Sequence, residues 1–553
     1  MTVLVVGGGP TGLAAALFLA RAGVPVRLVE RRPHTSTLPR ATHLSRRTME
    51  LLREAGLQEA VAAEGFEVVA GDDPRGFTEP DRVLPRTVVG VRSLSDLDAA
   101  EVLETGEEEL AVPGPCPPFW CGQHRTEPLL REAAVRAGAD VRFGEELTGL
   151  SVSDDGVIAR VRRADGRPTT VTARYLIAAD GAHGWIPETV GIARAGLGTI
   201  ARRTSILFRA DLTPLVEGRR FFMSMIENPG FSGAVMQLDA AHWWAAAVES
   251  DAVGGPGGEP DPVRCLELVR AALGTGDIPV ELTATFHWQA RHRIAERYRA
   301  GPVFLAGDAA HLHPPAGGYG SNAGIQDAHN LAWKIAAVLR GWAGAELLDS
   351  YDAERRPVGI ATAEQALLLD GVPGERIGAE ARDPRTVIMG YRYRSTAVIG
   401  GAGRGGPLPH AFELSGEPGT RLPHLPLSPG RDGGPGQGSV LDLCAPDAFG
   451  PRFLLLGGDE SWSRTAAEVA RELAVPVTAR VLRPPDPLDQ VCGTGPGGAL
   501  LVRPDGFVAW RCTAAEPPAG ARRHHLLTTA LRRVLRPVAV RTDTHPLTSW
   551  SGR

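Results

Sequence analysis

Lysine is almost absent from this sequence. Of the 59 basic residues, 58 are arginine and one, Lys334, is lysine. Chemistry that requires an active-site lysine therefore depends on a single position. Cysteine is sparse as well, with six residues, at positions 116, 121, 265, 444, 492 and 512, in a chain of 553. This low density favours reduced thiols in a reducing compartment over a disulfide framework.

Long apolar runs are also missing. The longest apolar stretches are broken by Gly, Arg or Asp before the roughly 18 residues that a membrane-spanning helix needs. The N-terminus has neither the basic region nor the cleavage site of a secretion signal. We therefore expect a cytoplasmic protein that does not associate with a membrane.

Excess positive charge is absent. The net charge is -5 at pH 7, and no basic run carries interleaved aromatic residues, which argues against nucleic-acid binding. Apolar residues make up 43% and charged residues 22%, as in folded globular proteins. The length of 553 residues predicts two or three domains with room for a large cofactor. We expect a monomer or homodimer that acts on a small molecule and holds no metal.

The first 30 residues predict a strand, a helix and a second strand. Val3 to Val6 is a β-branched run, Thr11 to Ala22 has helical spacing and ends at Gly23, and Val26 to Val29 is a second apolar run. A strand, glycine turn, helix and strand of this length form the minimal unit that binds a dinucleotide.

The turn inside this unit, GGGPTG at residues 7–12, fits the pattern G-x-G-x-x-G. Gly7 permits the tight turn, Gly9 lets a pyrophosphate approach the backbone, and Gly12 lets helix and strand pack closely. Glu30, at the end of the second strand, is placed to accept hydrogen bonds from both ribose hydroxyls of an adenosine. The pattern by itself does not distinguish FAD from NAD.

Three later regions complete the outline. Tyr175 to Ala179 and Val303 to Ala306 predict strands that end at Asp180-Gly181 and Gly307-Asp308, facing a ligand crevice. From about 204 to 286, apolar and polar residues alternate, which predicts a mainly antiparallel inserted sheet. After a Gly/Pro-rich stretch, short elements such as Arg452 to Leu456 and Ala499 to Arg503 indicate a separate C-terminal domain.

Residues 304–339, FLAGDAAHLHPPAGGYGSNAGIQDAHNLAWKIAAVL, closely resemble the class A flavoprotein aromatic hydroxylases of the p-hydroxybenzoate hydroxylase fold. The segments GTRLPH, LVRPDGFVAWR and GYRYRSTAVI resemble the subgroup that acts on polycyclic aromatic polyketides and carries a thioredoxin-like C-terminal domain. The resemblance implies FAD as cofactor, NADPH or NADH and O2 as cosubstrates, and hydroxylation through a flavin C4a-hydroperoxide. Isolated Cys444, Cys492 and Cys512 exclude a redox dithiol in the last domain, so we expect it to act as a scaffold or an interface.

The resemblance also implies the domain boundaries. We expect a Rossmann-like α/β FAD-binding domain, an inserted mainly antiparallel substrate domain and a C-terminal thioredoxin-like α/β domain. The FAD-binding domain would span 1–70, 115–190 and 290–370, the substrate domain 71–114 and 191–289, the linker 371–404 and the C-terminal domain 405–540.

The flavin loop is expected to act through its backbone. Pro314, Pro315, Gly317 and Gly318 would present main chain to the flavin ring, with no general base. Ser321 and Asn322 are interpreted as N-caps of the following helix, whose positive end would stabilise reduced flavin. The expected cofactor-binding residues are Gly7, Gly9, Pro10, Thr11, Gly12, Glu30, Arg31, Arg40, Ala41, Gln123, Asp180, Gly181, Gly307, Asp308, Pro315, Gly318, Gly320, Ser321 and Asn322.

Two parts of the expected site depart from the family or fit more than one interpretation. In DGAHGWIP, Gly184 and Pro187 stand where the family has the serine and arginine that help to bind phosphates. Arg47 and Glu127 resemble family positions around FAD but equally suit surface charges. The substrate candidates on the inserted sheet fit either a pocket or simple core packing, and they are Phe222, Met223, Met225, Phe231, Met236, Trp244 and Trp288.

Four other functions compete with hydroxylation. Cys116 and Cys121 have the C-x4-C spacing of flavin disulfide reductases, but a second G-x-G-x-x-G unit is absent. Trp185-Ile186-Pro187 echoes a flavin-dependent halogenase motif, yet Lys334 lies in a helix that the hydroxylases share, so no lysine remains to carry a halogen. Baeyer-Villiger or epoxidising oxygenation, and sequestration of a reactive ligand without turnover, stay open until a product is identified.

Overall fold

A computed structural model shows a mixed α/β protein with several sheets. It describes residues 2–69, 83–106, 110–216, 219, 221–238, 242–254, 259–401, 405–427, 438–446, 450–482 and 488–536. Within these residues, no helix combines the length and the apolar character needed to cross a bilayer.

Thirteen α-helices are found in the described part of the chain. They are α1 (Pro10–Arg21), α2 (Arg46–Glu54), α3 (Gln58–Glu64), α4 (Gln123–Arg136), α5 (Ile186–Thr189), α6 (Thr213–Val216), α7 (Pro262–Leu273), α8 (Tyr319–Leu339), α9 (Asp349–Leu369), α10 (Gly374–Ile377), α11 (Glu460–Leu473), α12 (Leu488–Cys492) and α13 (Gly520–Leu535).

The strands of the described residues form five sheets. They are β1 (Val3–Val6), β2 (Val26–Glu30), β3 (His43–Leu44), β4 (Phe66–Val69), β5 (Val83–Pro85), β6 (Val88–Val91), β7 (Glu101–Glu104), β8 (Phe119–Trp120), β9 (Asp140–Phe143), β10 (Glu146–Ser153), β11 (Gly156–Arg162), β12 (Pro168–Ala173), β13 (Tyr175–Ala178), β14 (Arg194–Arg209), β15 (Met223–Asn228), β16 (Phe231–Gln237), β17 (Trp243–Glu249), β18 (Glu281–Ala295), β19 (Arg299–Ala300), β20 (Val303–Leu305), β21 (His311–Leu312), β22 (Phe453–Gly457), β23 (Val477–Val481), β24 (Ala499–Val502) and β25 (Val508–Cys512).

The first sheet has the order β19-β20-β13-β1-β2-β9 and is parallel except for β19. The predicted unit of strand, helix and strand at its centre is confirmed as β1, α1 and β2, with β1 fully buried. In a parallel sheet all carboxyl ends meet at one edge, which is where such folds bind ligands. The glycine turn, Glu30, Asp180 and Gly307 therefore share that edge.

The second large sheet has the order β21-β18-β14-β17-β16-β15-β6-β7, and its long strands pair antiparallel as the alternating pattern predicts. One face packs on α7, where Leu268 and Val269 join a buried apolar core. We call the opposite face the open face. It contacts Leu38, in the segment that follows β2, and Trp120 of β8.

Helix α8 packs across α1 with little space between them. A Cβ built on Gly324 would lie 2.1 Å from Thr11 Oγ1 and 3.1 Å from Gly307 Cα. Only glycine lets the two helices and the Gly307 turn approach this closely. Helical spacing in the sequence predicts an apolar face at Ile325, Ala328, Ala332, Ile335 and Leu339. The first four are buried and Leu339 is half-buried.

The C-terminal sheet has the order β23-β22-β24-β25. Strands β22 and β23 are parallel and joined by α11, whereas β24 and β25 pair antiparallel. Trp333 of α8 packs edge-on against Phe453 of β22, with ring centroids 6.0 Å apart. The core of the parallel sheet thus continues into the C-terminal region.

Replacing Gly324 with alanine tests the close contact between α1 and α8. We expect G324A to lower the free energy of unfolding by about 1–3 kcal/mol, because a methyl group overpacks this contact. Alanine is otherwise the better helix former by roughly 1 kcal/mol. In the same helix, a Cβ at Gly320 would meet nothing nearer than 3.9 Å, so G320A serves as control and should lose no stability. Urea unfolding of both variants gives the answer, and equal midpoints would refute the contact.

Candidate active site

The glycine turn leaves open space above the start of α1. Gly7 has φ +110°, and a Cβ there would lie 2.1 Å from the Ala179 carbonyl oxygen. A Cβ on Gly9 would meet no heavy atom within 4 Å, so a ligand can approach its backbone. Gly9 precedes Pro10 at the helix N-terminus and has no side-chain cap. Uncapped N–H groups beside open space suit an anion such as a pyrophosphate.

Glu30 holds this turn in place. Its Oε2 accepts a hydrogen bond from Gly8 N at 2.6 Å, and its Oε1 accepts one from Arg32 N at 2.9 Å. A carboxylate has about four acceptor positions, so capacity for ribose hydroxyls remains. Arg31 is exposed at the same strand end. Glu30 is thus both part of the turn and a candidate ligand contact.

Asp308 lies where β20 reaches the ligand edge. The surrounding protein raises the pKa of Asp308 by desolvation, while His311 and Arg40 favour the charged form. The side chain nevertheless remains accessible from the cleft. The preceding Gly307 has φ +60° and packs against Thr11, which joins the two predicted motifs. Asp308 is therefore near Arg40 and available to a ligand.

Arg40, Gln123 and Glu127 form one connected group. Gln123 N donates to the Arg40 carbonyl oxygen at 2.9 Å, and Gln123 Nε2 donates to Glu127 Oε1 at 2.5 Å. Glu127 also accepts a hydrogen bond from Ser36 N at 2.6 Å. Ala41 takes φ +46°, an uncommon conformation for a residue with a Cβ. These contacts fix the loop that carries Arg40 beside the cleft.

The interpretation of Glu127 and Arg47 as surface charges is wrong for both residues. Glu127 is 2% exposed, and burial raises its pKa against the hydrogen bonds from Ser36 and Gln123. Arg47 is 4% exposed, and its guanidinium donates to Glu50 at 3.0 Å and to the Asp505 carbonyl oxygen at 2.8 Å. Both side chains are committed to holding the fold, so Arg47 is not available to bind a phosphate.

The second motif shows why glycine occupies position 184. A Cβ there would lie 2.1 Å from Asp180 Cγ, because the Asp180 side chain lies over this turn. Asp180 Oδ2 accepts a hydrogen bond from Ile186 N at 3.1 Å, and Gly181 has φ +79°. Pro187 is buried in the first turn of α5. The departure from the family pattern is therefore structural.

An arginine nevertheless reaches this turn from β14. Arg194 Nη2 donates to the Gly184 carbonyl oxygen at 2.9 Å and to Glu188 Oε1 at 2.7 Å. Its side chain is 5% exposed. The guanidinium that is missing at Pro187 thus has a counterpart seven positions later in the chain. No sequence motif pointed to it.

The flavin loop, residues 314–318, is shaped by its glycines. Gly317 and Gly318 have φ +76° and +65°, and a Cβ on Gly318 would press on His43 at 3.2 Å. Pro314 is buried and Pro315 is exposed. The loop ends directly at α8, so the backbone of Gly318 and the N-terminus of α8 adjoin.

Ser321 and Asn322 are not N-caps, which corrects the interpretation from sequence. Helix α8 begins at Tyr319 with Gly318 as its cap, so Gly320 and Ser321 lie in the first turn. Asn322 Nδ2 donates to His43 O at 2.9 Å and Gly318 O at 2.7 Å, and its Oδ1 accepts from Ser45 N at 2.9 Å. Asn322 ties the flavin loop to β3, and the cap residue Gly318 has no side chain to bond the N–H groups of the first turn.

Asp327 is a central residue that sequence reasoning missed. Its Oδ2 accepts hydrogen bonds from Gly307 N at 3.0 Å and from His311 Nε2 at 2.6 Å, and its Oδ1 accepts one from Arg355 Nε at 2.7 Å. Burial alone would raise the pKa of Asp327, but His311 and Arg355 hold it below the usual value. The available signal was a carboxylate in the interior of a predicted helix, next to Gln326 and close to His329.

The substrate candidates divide between the two faces of the second sheet. Strand alternation and pairing place Met223, Met225, Met236 and Trp288 on the open face, and Phe222 contacts Trp120 beside it. Two candidates are corrected. Phe231 and Trp244 are 2% and 5% exposed and pack in the core against α7, because they point to the opposite face.

The open face contains further residues that the sequence did not single out. Phe286 and Leu207 join Met236 and Leu38 in an apolar cluster on it. Trp288 Nε1 donates to Ser205 Oγ at 3.0 Å, so its indole is held in a fixed orientation. Alternation alone could have assigned these positions to one face, but not which face is open.

The residues behind two competing interpretations are buried. Lys334 is fully buried, with Nζ donating to Glu354 at 2.7 Å and Asn330 at 2.8 Å, so it cannot reach a substrate. Cys116 and Cys121 are both free and buried, and burial raises the pKa of Cys116 to about 12. Halogen transfer through lysine and dithiol exchange both lack a usable side chain here.

Two family models match the sequence. One described as FAD binding domain matches residues 1–366, and one described as aromatic-ring hydroxylase, C-terminal, matches residues 415–537. Among curated relatives, the tetracenomycin B2 monooxygenase-dioxygenase of Streptomyces olivaceus is 44% identical over 529 residues, covering 93% of this chain and 96% of the relative. The tetracenomycin A2 monooxygenase-dioxygenase of Streptomyces glaucescens is 42% identical over 554 residues, covering 96% of each.

A third relative is named for a nitrocatechol and not for a polyketide. The 4-methyl-5-nitrocatechol 5-monooxygenase of a Burkholderia species is 37% identical over 567 residues, covering 96% of this chain and 97% of the relative.

Solved structures agree with the fold. A ternary complex of aklavinone-11 hydroxylase with FAD and aklavinone has TM-score 0.82 and 35% identity, covering 97% of this chain and 99% of that one. The flavin-dependent monooxygenase PieE, in complex with FAD and substrate, has TM-score 0.81 and 29% identity, with the same coverage.

Replacing Asp308 tests the ligand edge. We expect D308A to weaken FAD binding about 10- to 100-fold, since a hydrogen bond to a charged group contributes roughly 1.5–3 kcal/mol. The FAD-free variant should stay as stable as the parent, because Asp308 is accessible. FAD titration followed by quenching of flavin fluorescence measures the affinity, and thermal unfolding of the FAD-free proteins measures stability.

Glu127 provides the contrasting variant. Because its carboxylate is buried and bonded to Ser36 and Gln123, E127A should lose stability even without FAD. If D308A and E127A showed the same FAD affinity and the same melting temperature, the separate roles assigned to the two carboxylates would be wrong.

Proposed function

The chain belongs to the family of FAD-dependent aromatic-ring hydroxylases, and we propose that it hydroxylates a polycyclic aromatic, polyketide-type small molecule with NAD(P)H and O2 as cosubstrates. The observation that carries this proposal is the juxtaposition of two surfaces. The edge with Gly9, Asp308 and the flavin loop suits FAD, and the apolar open face packs on Leu38, two residues before Arg40 of that edge.

The residues at the edge fit the cofactor. Open space above Gly9 suits a pyrophosphate. The accessible carboxylate of Asp308 suits a polyhydroxylated chain. The N-terminus of α8 suits an electron-rich ring edge. Glu30 would take the adenosine ribose, and Arg40 and Gln123 would line the flavin side. When bound, FAD supplies electron transfer and oxygen activation, and the protein supplies position and a dry environment.

The chain itself contributes orientation to the reaction. The backbone at Pro314, Pro315, Gly317 and Gly318 would lie beside the ring. Asn322 bonds to Gly318 of that loop, and Asp327 bonds to His311 in the strand before it. Apolar side chains of the open face would exclude water from the reacting atoms. We assign no general base, since electrophilic oxygen transfer to an electron-rich ring requires none from the protein.

The open face supports a wide, flat substrate. Met223, Met225 and Met236 provide adaptable thioethers, and Trp288 provides a fixed indole, a combination that accommodates large planar ligands. The names of the tetracenomycin and aklavinone relatives point the same way. The nitrocatechol relative is the reason why the size of the substrate needs a direct test.

The domain roles follow as part of this proposal. We propose that segments 1–70, 115–190 and 290–370 bind FAD, that 71–114 and 191–289 bind substrate, and that 371–404 links to a region at 405–540. The order of β23, β22, β24 and β25, with α11 and α13, supports a thioredoxin-like assignment for that last region. Arg194 is our candidate to replace the guanidinium missing at Pro187 in nucleotide binding.

Product analysis tests the substrate class. Incubated with NAD(P)H and O2, the enzyme should convert a tri- or tetracyclic hydroxyquinone to a product heavier by one oxygen, and should leave phenol and p-hydroxybenzoate largely unchanged. Product is scored by mass and structure, because uncoupled NAD(P)H oxidation inflates apparent turnover. Efficient hydroxylation of phenol alone would overturn the polycyclic assignment. A ring-insertion product or an epoxide would show that the reaction is Baeyer-Villiger oxidation or epoxidation instead of hydroxylation. Binding of the polycyclic compound without turnover would indicate sequestration.

Trimming the open face tests where the substrate lies. Met225 is 41% exposed on that face, so M225A should raise KM for the polycyclic substrate about three- to tenfold, or roughly 0.7–1.4 kcal/mol, through lost apolar contact. FAD affinity and melting temperature should not change. The control is V263A, because Val263 is 66% exposed on α7, behind the other face. If both variants had the same KM, the substrate would not lie on the open face.

A further inference from the structure

The turn between β24 and β25, residues 503–507, is buried although it belongs to the C-terminal region. Arg503 is fully buried, and Asp505 and Phe507 are each 2% exposed. Turns normally lie at the surface, because their polar groups need water. This turn finds its partners in the FAD-binding region instead, and we call it the docking turn.

The docking turn completes a buried cluster of balanced charge. Arg503 donates to both carboxylate oxygens of Glu354 on α9, at 2.5 and 2.8 Å, and also binds Asp505. Asp505 accepts hydrogen bonds from Trp333 Nε1 at 3.1 Å and Asn330 Nδ2 at 3.2 Å, both on α8. With Lys334 bonded to Glu354, two cations and two anions are enclosed together. Removing any one leaves a buried charge without its partner.

The cluster adjoins the residues that hold the cofactor edge. Glu354 is followed by Arg355, which donates to Asp327 at 2.7 Å, and Asp327 accepts from Gly307 N, next to Asp308. A second link runs through Tyr393, whose ring stacks on Phe507 of the docking turn with centroids 4.0 Å apart. Tyr393 Oη accepts a hydrogen bond from Arg355 Nη1 at 3.2 Å. The first link reaches Glu354, the neighbour of Arg355 in the chain, and the second reaches Arg355 itself.

We infer that the C-terminal region positions the cofactor: its docking turn fixes α9 and Arg355, and through Asp327 sets the Gly307–Asp308 turn that contacts FAD. Arg503, Asp505 and Tyr393 are positioning residues in this arrangement. The role depends on FAD binding only, so it stands apart from the choice of substrate and cosubstrate.

A second interface contact offers a matched control. Arg421, also in the C-terminal region, is fully buried and donates to both oxygens of Glu50 on α2. This pair also lies beside the docking turn, because Arg47 donates to both Glu50 and the Asp505 carbonyl oxygen and the Arg421 backbone pairs with Phe507. Among the described residues, however, neither Arg421 nor Glu50 has a side-chain hydrogen bond to α9, Arg355 or Asp327. R421K keeps these backbone contacts and the bonds between Arg503 and Glu354, so it should disturb docking of the region as much as R503K does without breaking the bond to α9.

The experiment compares R503K with R421K. Lysine keeps the charge but loses the two-pronged hydrogen bonding, so both variants should fold with similarly lowered melting temperatures. We expect R503K to bind FAD at least tenfold more weakly, about 1.4 kcal/mol, and to change the visible circular dichroism of the bound flavin. R421K should keep its FAD affinity within twofold and the parental flavin spectrum.

Y393F covers the case in which R503K does not fold. It removes only the hydroxyl that accepts from Arg355, and we expect about threefold weaker FAD binding and the same change in flavin circular dichroism. A cycle of D327N, Y393F and the double variant then measures coupling through Arg355, which should appear as non-additive losses of FAD affinity. Equal FAD affinity in R503K and R421K, or strictly additive losses in the cycle, would overturn the inference, whatever the substrate proves to be.

Discussion

The buried carboxylate of Asp327 is the interaction on which the cofactor edge depends. An ionised group without solvent must be matched by donors, and Gly307 N, His311 and Arg355 supply them. These three donors come from the turn after β20, from the strand before the flavin loop and from α9. Satisfying one charge therefore fixes three separated segments with respect to α8. The flavin loop inherits its position from this requirement.

The same logic explains how an arginine-rich chain builds its interior. Arg355, Arg421 and Arg503 are fully buried, and each donates to a carboxylate that is buried as well. A planar guanidinium with five donors fits such pairs better than an ammonium does. Such networks add geometric specificity more than net stability, since removing charge from water is costly. Here that specificity links the C-terminal region to the two helices behind the cofactor edge.

The second sheet shows how one surface serves two purposes. Because side chains alternate, the strands give one set of residues to the core against α7 and the other to the open face. Phe231 and Trp244 stabilise the sheet, whereas Met225 and Trp288 remain available to a ligand. A mixture of aromatic and methionine residues in the sequence therefore contains both groups, and composition alone does not separate them.

The sequence by itself determined the dinucleotide-binding unit, the glycines of the flavin loop and the family, because these rest on local spacing and on backbone conformations that only glycine adopts easily. It also identified Lys334 as a helix residue with no free role in catalysis. Only the tertiary structure decided which face of the second sheet is open, that Glu127 and Arg47 are buried, that Asn322 ties a loop instead of capping a helix, and that Asp327 and Arg503 hold the site. Those facts depend on partners tens to hundreds of residues away, such as Arg355 for Asp327 and Glu354 for Arg503. Local patterns carry no information about such pairs, because burial and charge pairing arise only when distant segments pack together.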